Sequence, residues 1–379
     1  MRILFFVSSM HSGGAERVAA TLANAWSQRG DLVTLVPTFR GRGTCFYPVS
    51  ADVDLVWLAD RYSSRRGGSL VGTVRKWRAL RRLVREKQPD VIISFLTNVN
   101  VMVLLSTYRM GIATVVCERT HPALSTNIGG VLKGLRRLTY PWADLVTVQT
   151  QASIAPIREK APAIRALRVV PNPLPPELFD VAPAAGGPDV RGRYHLMAMG
   201  RLVEAKQFDQ LIAAFLKLAP HFPEWDLVIW GDGPQHETLA RQVRDAGMES
   251  RIALPGRTEV PWTELANANA FALTSAVEGF PNVLLEAMAL GLPCIAYDCP
   301  SGPREITRDG SDALLVAPGD QTALMHGLRD LMSDAGLRQD LGCRAAQSVR
   351  QRFALPEVLK TWDALMEQAM ASARDGKMR

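Results

Sequence analysis

Short apolar runs rich in β-branched residues recur along the whole chain, each separated from the next by a segment of helical length. In the first half they are ILFFVS (3–8), LVTLVP (32–37), VDLVWLA (53–59), VIISFL (91–96), ATVVCE (113–118), LVTVQT (145–150) and LRVVP (167–171). The second half has HLMAMG (195–200), DLVIWG (226–231), RIALPG (251–256), AFALTS (270–275), PCIAYD (293–298) and ALLVAP (313–318). Runs this apolar predict parallel strands buried on both faces, with the intervening helices as crossovers. Each half therefore reads as a doubly wound, Rossmann-like α/β domain. A Pro/Gly-rich stretch from Pro171 to Gly192 lacks either periodicity and reads as a connector, which predicts two domains facing across a cleft. The expected organisation is a domain over 1–172, a linker over 173–192, a domain over 193–354 and a terminal helix over 355–379 that could cap either domain, a return onto the first being one of the two options.

Composition narrows this without changing it. The chain has 379 residues, 47% apolar and 21% charged, enough for two buried cores and too apolar for a disordered protein. Five cysteines without a C-x-x-C pair suggest neither a disulfide framework nor a zinc module, and fit a reduced, cytoplasmic compartment. Ile3–Val7 is too short for the core of a signal peptide. Val91 to Tyr108 is 18 residues without a charge, long enough for a membrane span. Ser94, Thr97, Asn98 and Asn100 interrupt it, so it reads better as a strand, a turn at Thr97-Asn98 and a helix.

Three loops carry candidate chemistry. Ser9-Met10-His11-Ser12-Gly13-Gly14-Ala15-Glu16-Arg17 follows the first strand, where two glycines let backbone approach a ligand and a helix N-terminus favours an anion. Its spacing is not the dinucleotide G-x-G-x-x-G, and a tight turn chosen for packing is an equal reading. Met199-Gly200-Arg201-Leu202-Val203-Glu204-Ala205-Lys206 places an Arg and a Lys five apart at the carboxyl end of a strand, able to converge on one anion or to stand as two solvated cations. Glu278-Gly279-Phe280-Pro281-Asn282-Val283-Leu284-Leu285-Glu286 is the most informative. Pro281 suits a first helical position, and the amides of Asn282, Val283 and Leu284 are expected to be unpaired donors. Gly291 suits the C-terminal cap. Glu286 falls about a turn and a half into an apolar helix, where a carboxylate needs a partner.

Together the E-x7-E with its GFPN insert, the G-R-x4-K loop, Gly-Asp-Gly-Pro at 231–234 and Gly-Gly-Ala-Glu-Arg at 13–17 resemble glycosyltransferase family 4, over nearly the whole chain. The segments Cys117-Glu118-Arg119-Thr120-His121-Pro122 and Asp298-Cys299-Pro300-Ser301-Gly302-Pro303-Arg304-Glu305-Ile306 resemble the branch that extends lipid-linked oligosaccharides in surface polysaccharide or N-glycan assembly. The resemblance implies a GT-B fold and retaining transfer of a hexose or N-acetylhexosamine from a nucleotide sugar, UDP-linked in the first instance, to a polyprenyl-diphosphate-linked glycan. It implies that Arg201 and Lys206 hold the donor diphosphate, that Glu286 binds the ribose hydroxyls and that Glu278 contacts the donor sugar, with Gly279, Phe280, Pro281, Asn282 and Val283 alongside. Gly13 and Gly14 would approach the diphosphate from the other lobe, and Arg257 joins the donor-binding set. His121, with His11 as the alternative, would meet the transferred sugar. No cofactor or metal is expected: there is no Asp-x-Asp suited to a catalytic divalent ion, so cations and helix amides would stabilise the leaving diphosphate.

Charge adds a partner. Residues 1–172 carry 24 Lys/Arg against 10 Asp/Glu, a net +14, while residues 173–379 carry 20 against 27, a net −7. Ten cations fall between Arg61 and Lys87, Arg65 and Arg66 included, against Glu86 alone. Residues 71–87 predict an amphipathic helix with Val74, Trp77, Leu80 and Val84 on one stripe and Arg75, Arg78, Arg82 and Arg85 on another. Such a face is either simply solvated or meets an anion; the anions expected here are a lipid diphosphate acceptor and an anionic inner-leaflet surface, the latter shared with Leu132, Lys133, Leu135, Arg136 and Arg137. The enzyme is thus expected to be peripheral on the cytoplasmic face of the membrane. Competing readings are a sugar-nucleotide epimerase or a phosphorylase on the same fold, though no lysine is marked for pyridoxal, and a nucleic-acid-binding protein, against which stand the missing motif, the 7% aromatic content and the acidic second half.

Overall fold

All thirteen apolar runs form strands, and they do so in two separate parallel sheets. The computed structural model describes residues 1–39, 45–62, 70–120 and 129–377; His121, Arg65 and Arg66 lie outside the described residues. The chain divides into two compact units, Met1–Asn172 with Val358–Arg379, and Pro173–Glu357.

The first unit contains β1 (Arg2–Val7), α1 (Gly14–Gln28), β2 (Leu32–Pro37), β3 (Asp54–Leu55), α2 (Leu70–Lys87), β4 (Val91–Phe95), α3 (Thr97–Thr107), β5 (Ala113–Cys117), α4 (Gly130–Thr139), β6 (Leu145–Val148), α5 (Ile154–Lys160) and β7 (Leu167–Val169). Its strand order is β3-β2-β1-β4-β5-β6-β7, with Arg2 to Val7 in register with Leu32 to Pro37 on one side and Ile3 with Val91 on the other. Only two residues of the run at 53–59 pair, because β3 is the sheet edge and pairs with β2 alone. The uncharged run at 91–108 becomes β4 and α3, the helix starting at Thr97, where a turn was expected. Its polar residues cross-link the layers: Ser94 Oγ donates to Asn100 Oδ1 at 2.7 Å and Asn100 Nδ2 donates to the Cys117 carbonyl at 3.0 Å. Among the described residues no helix is long and apolar enough to cross a membrane.

The second unit contains β8 (Tyr194–Met199), α6 (Phe208–Leu218), β9 (Trp225–Trp230), α7 (His236–Asp245), β10 (Ile252–Gly256), α8 (Pro261–Ala266), β11 (Ala270–Leu273), α9 (Asn282–Ala289), β12 (Cys294–Tyr297), α10 (Pro303–Ile306), β13 (Leu314–Val316), α11 (Gln321–Ser333) and α12 (Ala335–Phe353). The order is β10-β9-β8-β11-β12-β13. Leu196, Ile212, Phe215 and Trp225 are among the residues that fill one layer; Phe271, Leu284, Leu285 and Phe353 belong to the other. The Pro-rich stretch packs with this unit and gives it the buried side chains Leu174 and Leu178. The last helix, α13 (Leu355–Lys377), lies mostly in the first unit, where Trp362 meets Trp26 edge-to-face at 5.7 Å.

In both sheets the strand order reverses beside the first strand, between β1 and β4 and between β8 and β11. Open parallel sheets bind ligands at the carboxyl ends of the strands flanking such a reversal. In the second unit those ends carry the loops Gly200–Lys206 and Thr274–Gly279, so topology alone brings Arg201, Lys206 and Glu278 to one rim.

Candidate active site

The loop after β8 is fixed by backbone against the Gly-Asp-Gly-Pro turn after β9. Gly200 N–H donates to the Trp230 carbonyl and Leu202 N–H to the Asp232 carbonyl, both at 2.9 Å, and Gln235 N–H donates to the Leu202 carbonyl at 3.0 Å. The two chains run so close that a Cβ at 231 would stand 1.8 Å from the Gly200 oxygen, and one at 233 would stand 2.3 Å from the Leu202 oxygen. Only glycine permits that approach. The far end of the loop is tied to β11, with Thr274 Oγ1 donating to the Lys206 carbonyl at 3.0 Å and Ala276 N–H to the Ala205 carbonyl at 2.9 Å. Arg201 is exposed on this rigid loop and makes no ion pair among the described residues. Arg257, further along the rim, is also exposed and pairs with Asp232 at 3.3 Å.

Lys206 closes the loop onto the other strand end: its Nζ donates to Glu278 Oε1 at 2.5 Å, with both side chains mostly buried. The turn that carries Glu278 is braced from behind by the Cys299–Gly302 segment. Ser301 Oγ donates to the Gly279 carbonyl at 2.7 Å. Gly302 has φ +98°, and a Cβ there would stand 2.4 Å from Pro281 Cδ. The Cys299 thiol is pushed up to about 12 by burial and by the Glu278 charge, so it is packing rather than a nucleophile.

Helix α9 begins one residue later than expected, with Pro281 as its N-cap. The expectation of three unpaired amides is corrected for Leu284, whose N–H donates to the Pro281 carbonyl at 3.1 Å because the first turn is tight. Gly291, φ +83°, turns the chain just past the helix, as expected. Phe280 is buried edge-on against Phe353 at 5.8 Å, so its ring is core. Glu286 is only 3% exposed and accepts a hydrogen bond from Trp262 Nε1 at 3.0 Å.

In the first unit, α1 starts at Gly14 with Gly13 as its N-cap. The Glu16 carboxylate folds back over Gly13: Ser9 Oγ donates to Glu16 Oε1 at 2.9 Å, and the other carboxylate oxygen would lie 2.3 Å from a Cβ at 13. The space over this helix start already holds a negative group, which the helix dipole favours. His11 is exposed on the loop before it. In the segment 117–120, Glu118 is buried and accepts from Thr97 Oγ1 and Tyr140 OH, its carboxyl raised by burial against the pull of those bonds. Arg119 is buried too, with its guanidinium 3.6 Å over the Phe95 ring and Nη1 donating to Asn172 Oδ1 at 2.6 Å.

A rigid cationic loop, a carboxylate paired to its lysine and a second carboxylate on the neighbouring helix can hold a diphosphate beside a polyol. Two family models match in succession: a glycosyl transferase 4-like domain over residues 13–173 and glycosyl transferases group 1 over residues 189–348. The chain belongs to the family 4 glycosyltransferases. It is 30% identical over 408 aligned positions to an exopolysaccharide phosphotransferase of Streptomyces coelicolor, an alignment that takes in all of this chain but 42% of that protein. The chain thus spans less than half of that relative. It is 26% identical, over 97% of its length and 99% of the other, to the GalNAc-alpha-(1->4)-GalNAc-alpha-(1->3)-diNAcBac-PP-undecaprenol alpha-1,4-N-acetyl-D-galactosaminyltransferase of Campylobacter jejuni. Its fold matches Anabaena HepE, solved with UDP and glucose, with a TM-score of 0.79 at 20% identity, covering 97% of this chain and 99% of that one. The two sheets are those of a GT-B glycosyltransferase.

On the transferase's first unit, α2 places Arg75, Arg78, Arg82 and Arg85 outward, as expected, and buries Leu80, Leu83 and Val84. Val74, expected on the buried stripe, is 45% exposed, since the stripe meets the core only from Ala79 onward. Arg81 caps the end of α3, donating to the Ser106 carbonyl at 2.8 Å. On α4 the expected basic set is corrected at Arg136, which is 2% exposed; Lys133 and Arg137 face outward instead, with Val131 80% and Leu138 58% exposed beside them. Sequence reasoning missed Trp262, Ser301 and Glu16 as neighbours of the predicted residues. Ser301 had a signal, since it lies in a segment already marked by the resemblance; Trp262 had none, because its partner is 24 residues away.

Proposed function

We propose that this glycosyltransferase moves a hexose or N-acetylhexosamine, with retention of configuration, from a UDP-sugar to a polyprenyl-diphosphate-linked glycan at the cytoplasmic face of the membrane. The observation that carries the donor half is the Lys206–Glu278 pair at the rim where Arg201 projects and α9 begins. Lys206 and Arg201 take the diphosphate, Glu278 the sugar hydroxyls and Glu286 the ribose, with Gly279–Val283 and Arg257 around them. The C1–phosphate bond breaks as the acceptor oxygen bonds C1 from the same face, and the acceptor's proton passes to the departing phosphate oxygen. In this reading two cations and helix amides stabilise the leaving group, with no metal needed. The UDP assignment draws support from the ligand named for HepE, and the acceptor from the undecaprenyl-diphosphate glycan named for the Campylobacter relative.

The acceptor half rests on charge. The only acid in the 61–87 stretch, Glu86, is already paired with Arg61 at 2.6 Å, and Lys87 with Asp54 at 2.7 Å, which leaves Arg78, Arg82 and Arg85 on the outer face of α2 in excess. Exposed Val131 and Leu138 beside Lys133 and Arg137 give α4 the mixed apolar and cationic face that suits an anionic lipid surface. The test is a screen of UDP- and GDP-sugars against a short polyprenyl-diphosphate glycan, with product mass and anomeric configuration read out. Transfer from a UDP-sugar with the configuration retained supports the proposal; no product with any donor, from a folded sample, overturns it.

A further inference from the structure

Three arginines are buried among the described residues, and two of them are answered by negative charge or carbonyl oxygens. Arg338 donates to the Leu331 and Met332 carbonyls at the end of α11. Arg136 leaves its Nε unpartnered, but its charge acts on the buried Glu118 carboxylate. Arg119 is the exception. Its Nη1 donates to Asn172 Oδ1 at 2.6 Å, and that oxygen also accepts from Gln149 Nε2 at 2.8 Å, so two neutral donors and acceptors are all it shares. Nε has no partner, and among the described residues no carboxylate pairs with the guanidinium. Glu118, the preceding residue, gives its carboxylate to Thr97 and Tyr140 instead. The Phe95 ring, 3.6 Å away, offers a π face and no full charge. Burial accordingly pulls Arg119 down to about 10. A charge removed from water without a counter-charge costs stability, and packing alone does not require one here.

The residues around Arg119 come from four neighbouring strands. Phe95 ends β4, Arg119 and Gln149 follow β5 and β6, and Asn172 follows β7. All four lie at the carboxyl ends of the strands, where open parallel sheets take their ligands. A planar guanidinium with one nitrogen engaged keeps donors in a geometry that suits phosphoryl oxygens. We infer that Arg119 is an anion site of the first unit and takes a phosphoryl group of a substrate's diphosphate. The choice of a phosphoryl group rests on the transfer proposed above, in which donor and acceptor each carry a diphosphate. The missing counter-charge is then supplied by the substrate.

The test compares the full-length wild type with Arg119→Met, which keeps the bulk of the side chain and removes its charge. Thermal melts are read with UDP alone and with inorganic diphosphate added at saturating UDP, and KM is measured for both substrates. Without ligand, Arg119→Met should melt at or above the wild-type temperature, because an unanswered buried charge has gone. If the acceptor lipid supplies the anion, the variant loses the diphosphate increment and its acceptor KM rises about tenfold or more, while the response to UDP is kept. If the nucleotide supplies it, UDP binding weakens and the donor KM rises by that factor instead. Arg119→Lys, a point charge without the fork, should also weaken the same ligand, and is read in its place should the Met variant not fold. Wild-type responses to both probes and unchanged KM values in the variants overturn the inference and leave the donor site standing. A wild type stabilised by diphosphate but not by UDP, with that increment lost in Arg119→Met, defeats the UDP reading and leaves Arg119 in its role.

Discussion

Lys206 Nζ and Glu278 Oε1 meet at 2.5 Å across 72 residues of sequence, joining the loops at the ends of two adjacent strands. The bond is mostly shielded from water, so removing one partner strands a partly buried charge. Lys206→Met should therefore lower both stability and turnover, the latter by about a hundredfold or more through loss of charge on the leaving group. Lys206→Met combined with Glu278→Gln should recover much of the melting temperature and none of the activity. Recovery of activity in the double variant would show that Lys206 only balances Glu278.

The brace behind that pair can be loosened in two steps. Ser301→Ala leaves the Gly279 carbonyl without its 2.7 Å donor, a loss of about 1 kcal/mol. Gly302→Ala forces a side chain into φ +98° and against Pro281, which costs more. Melting temperatures should fall in that order, and the donor KM should rise in parallel because the Glu278 turn moves. Equal behaviour of the two variants would count against a brace at Gly302.

Sequence pattern was enough for the thirteen strands, because parallel strands covered on both faces write themselves as unbroken apolar runs, ILFFVS and AFALTS alike. It also located the loops of Arg201, Lys206 and Glu278 and the helix that carries Glu286, since these follow strands at a sheet reversal. What it could not supply were relations across the fold. Nothing local to Trp262 announces a carboxylate 24 residues on, and nothing in the Arg136 side chain says that it faces inward while Arg137 faces out. Helix periodicity placed Val74 on the right stripe, but the stripe runs past the end of the core it packs on. Gly13 invited a ligand in sequence, whereas the nearest negative group is the chain's own Glu16.

The outward arginines of α2 yield a separable prediction. Replacing Arg75, Arg78, Arg82 and Arg85 by Ser removes four cations, each worth about 1 kcal/mol near an anionic leaflet, so binding to vesicles containing anionic lipid should fall steeply. Turnover of a lipid-diphosphate acceptor should fall as well, while UDP binding stays as in the wild type. Wild-type kinetics on that acceptor would remove the acceptor role, and unchanged flotation on anionic vesicles would remove docking.

Asp312 gives the pH dependence of the second unit. Its side chain is fully buried, which alone would raise its carboxyl, yet Arg308 Nη2 at 2.6 Å, the Ser348 side chain and the charge of Arg352 at 3.7 Å outweigh burial and hold it below its ordinary value of 3.8. A carboxyl depressed in the folded state stabilises that state above its unfolded pKa, and the contribution disappears as pH falls through the folded pKa. The same Arg352 donates to the Glu305 carbonyl at 2.9 Å, so Asp312 ties the end of α12 to α10 and the start of β13. Asp312→Asn should accordingly destabilise the protein by about 1–2 kcal/mol near neutral pH, the scale for losing charged hydrogen bonds to a buried acceptor when the cationic partners reach solvent. The gap in melting temperature between wild type and variant should be constant above about pH 5 and narrow steadily below about pH 4. Thermal melts across that range check it, and a gap that persists undiminished to about pH 2.5 would mean that Asp312 acts through hydrogen-bond geometry alone rather than through its charge.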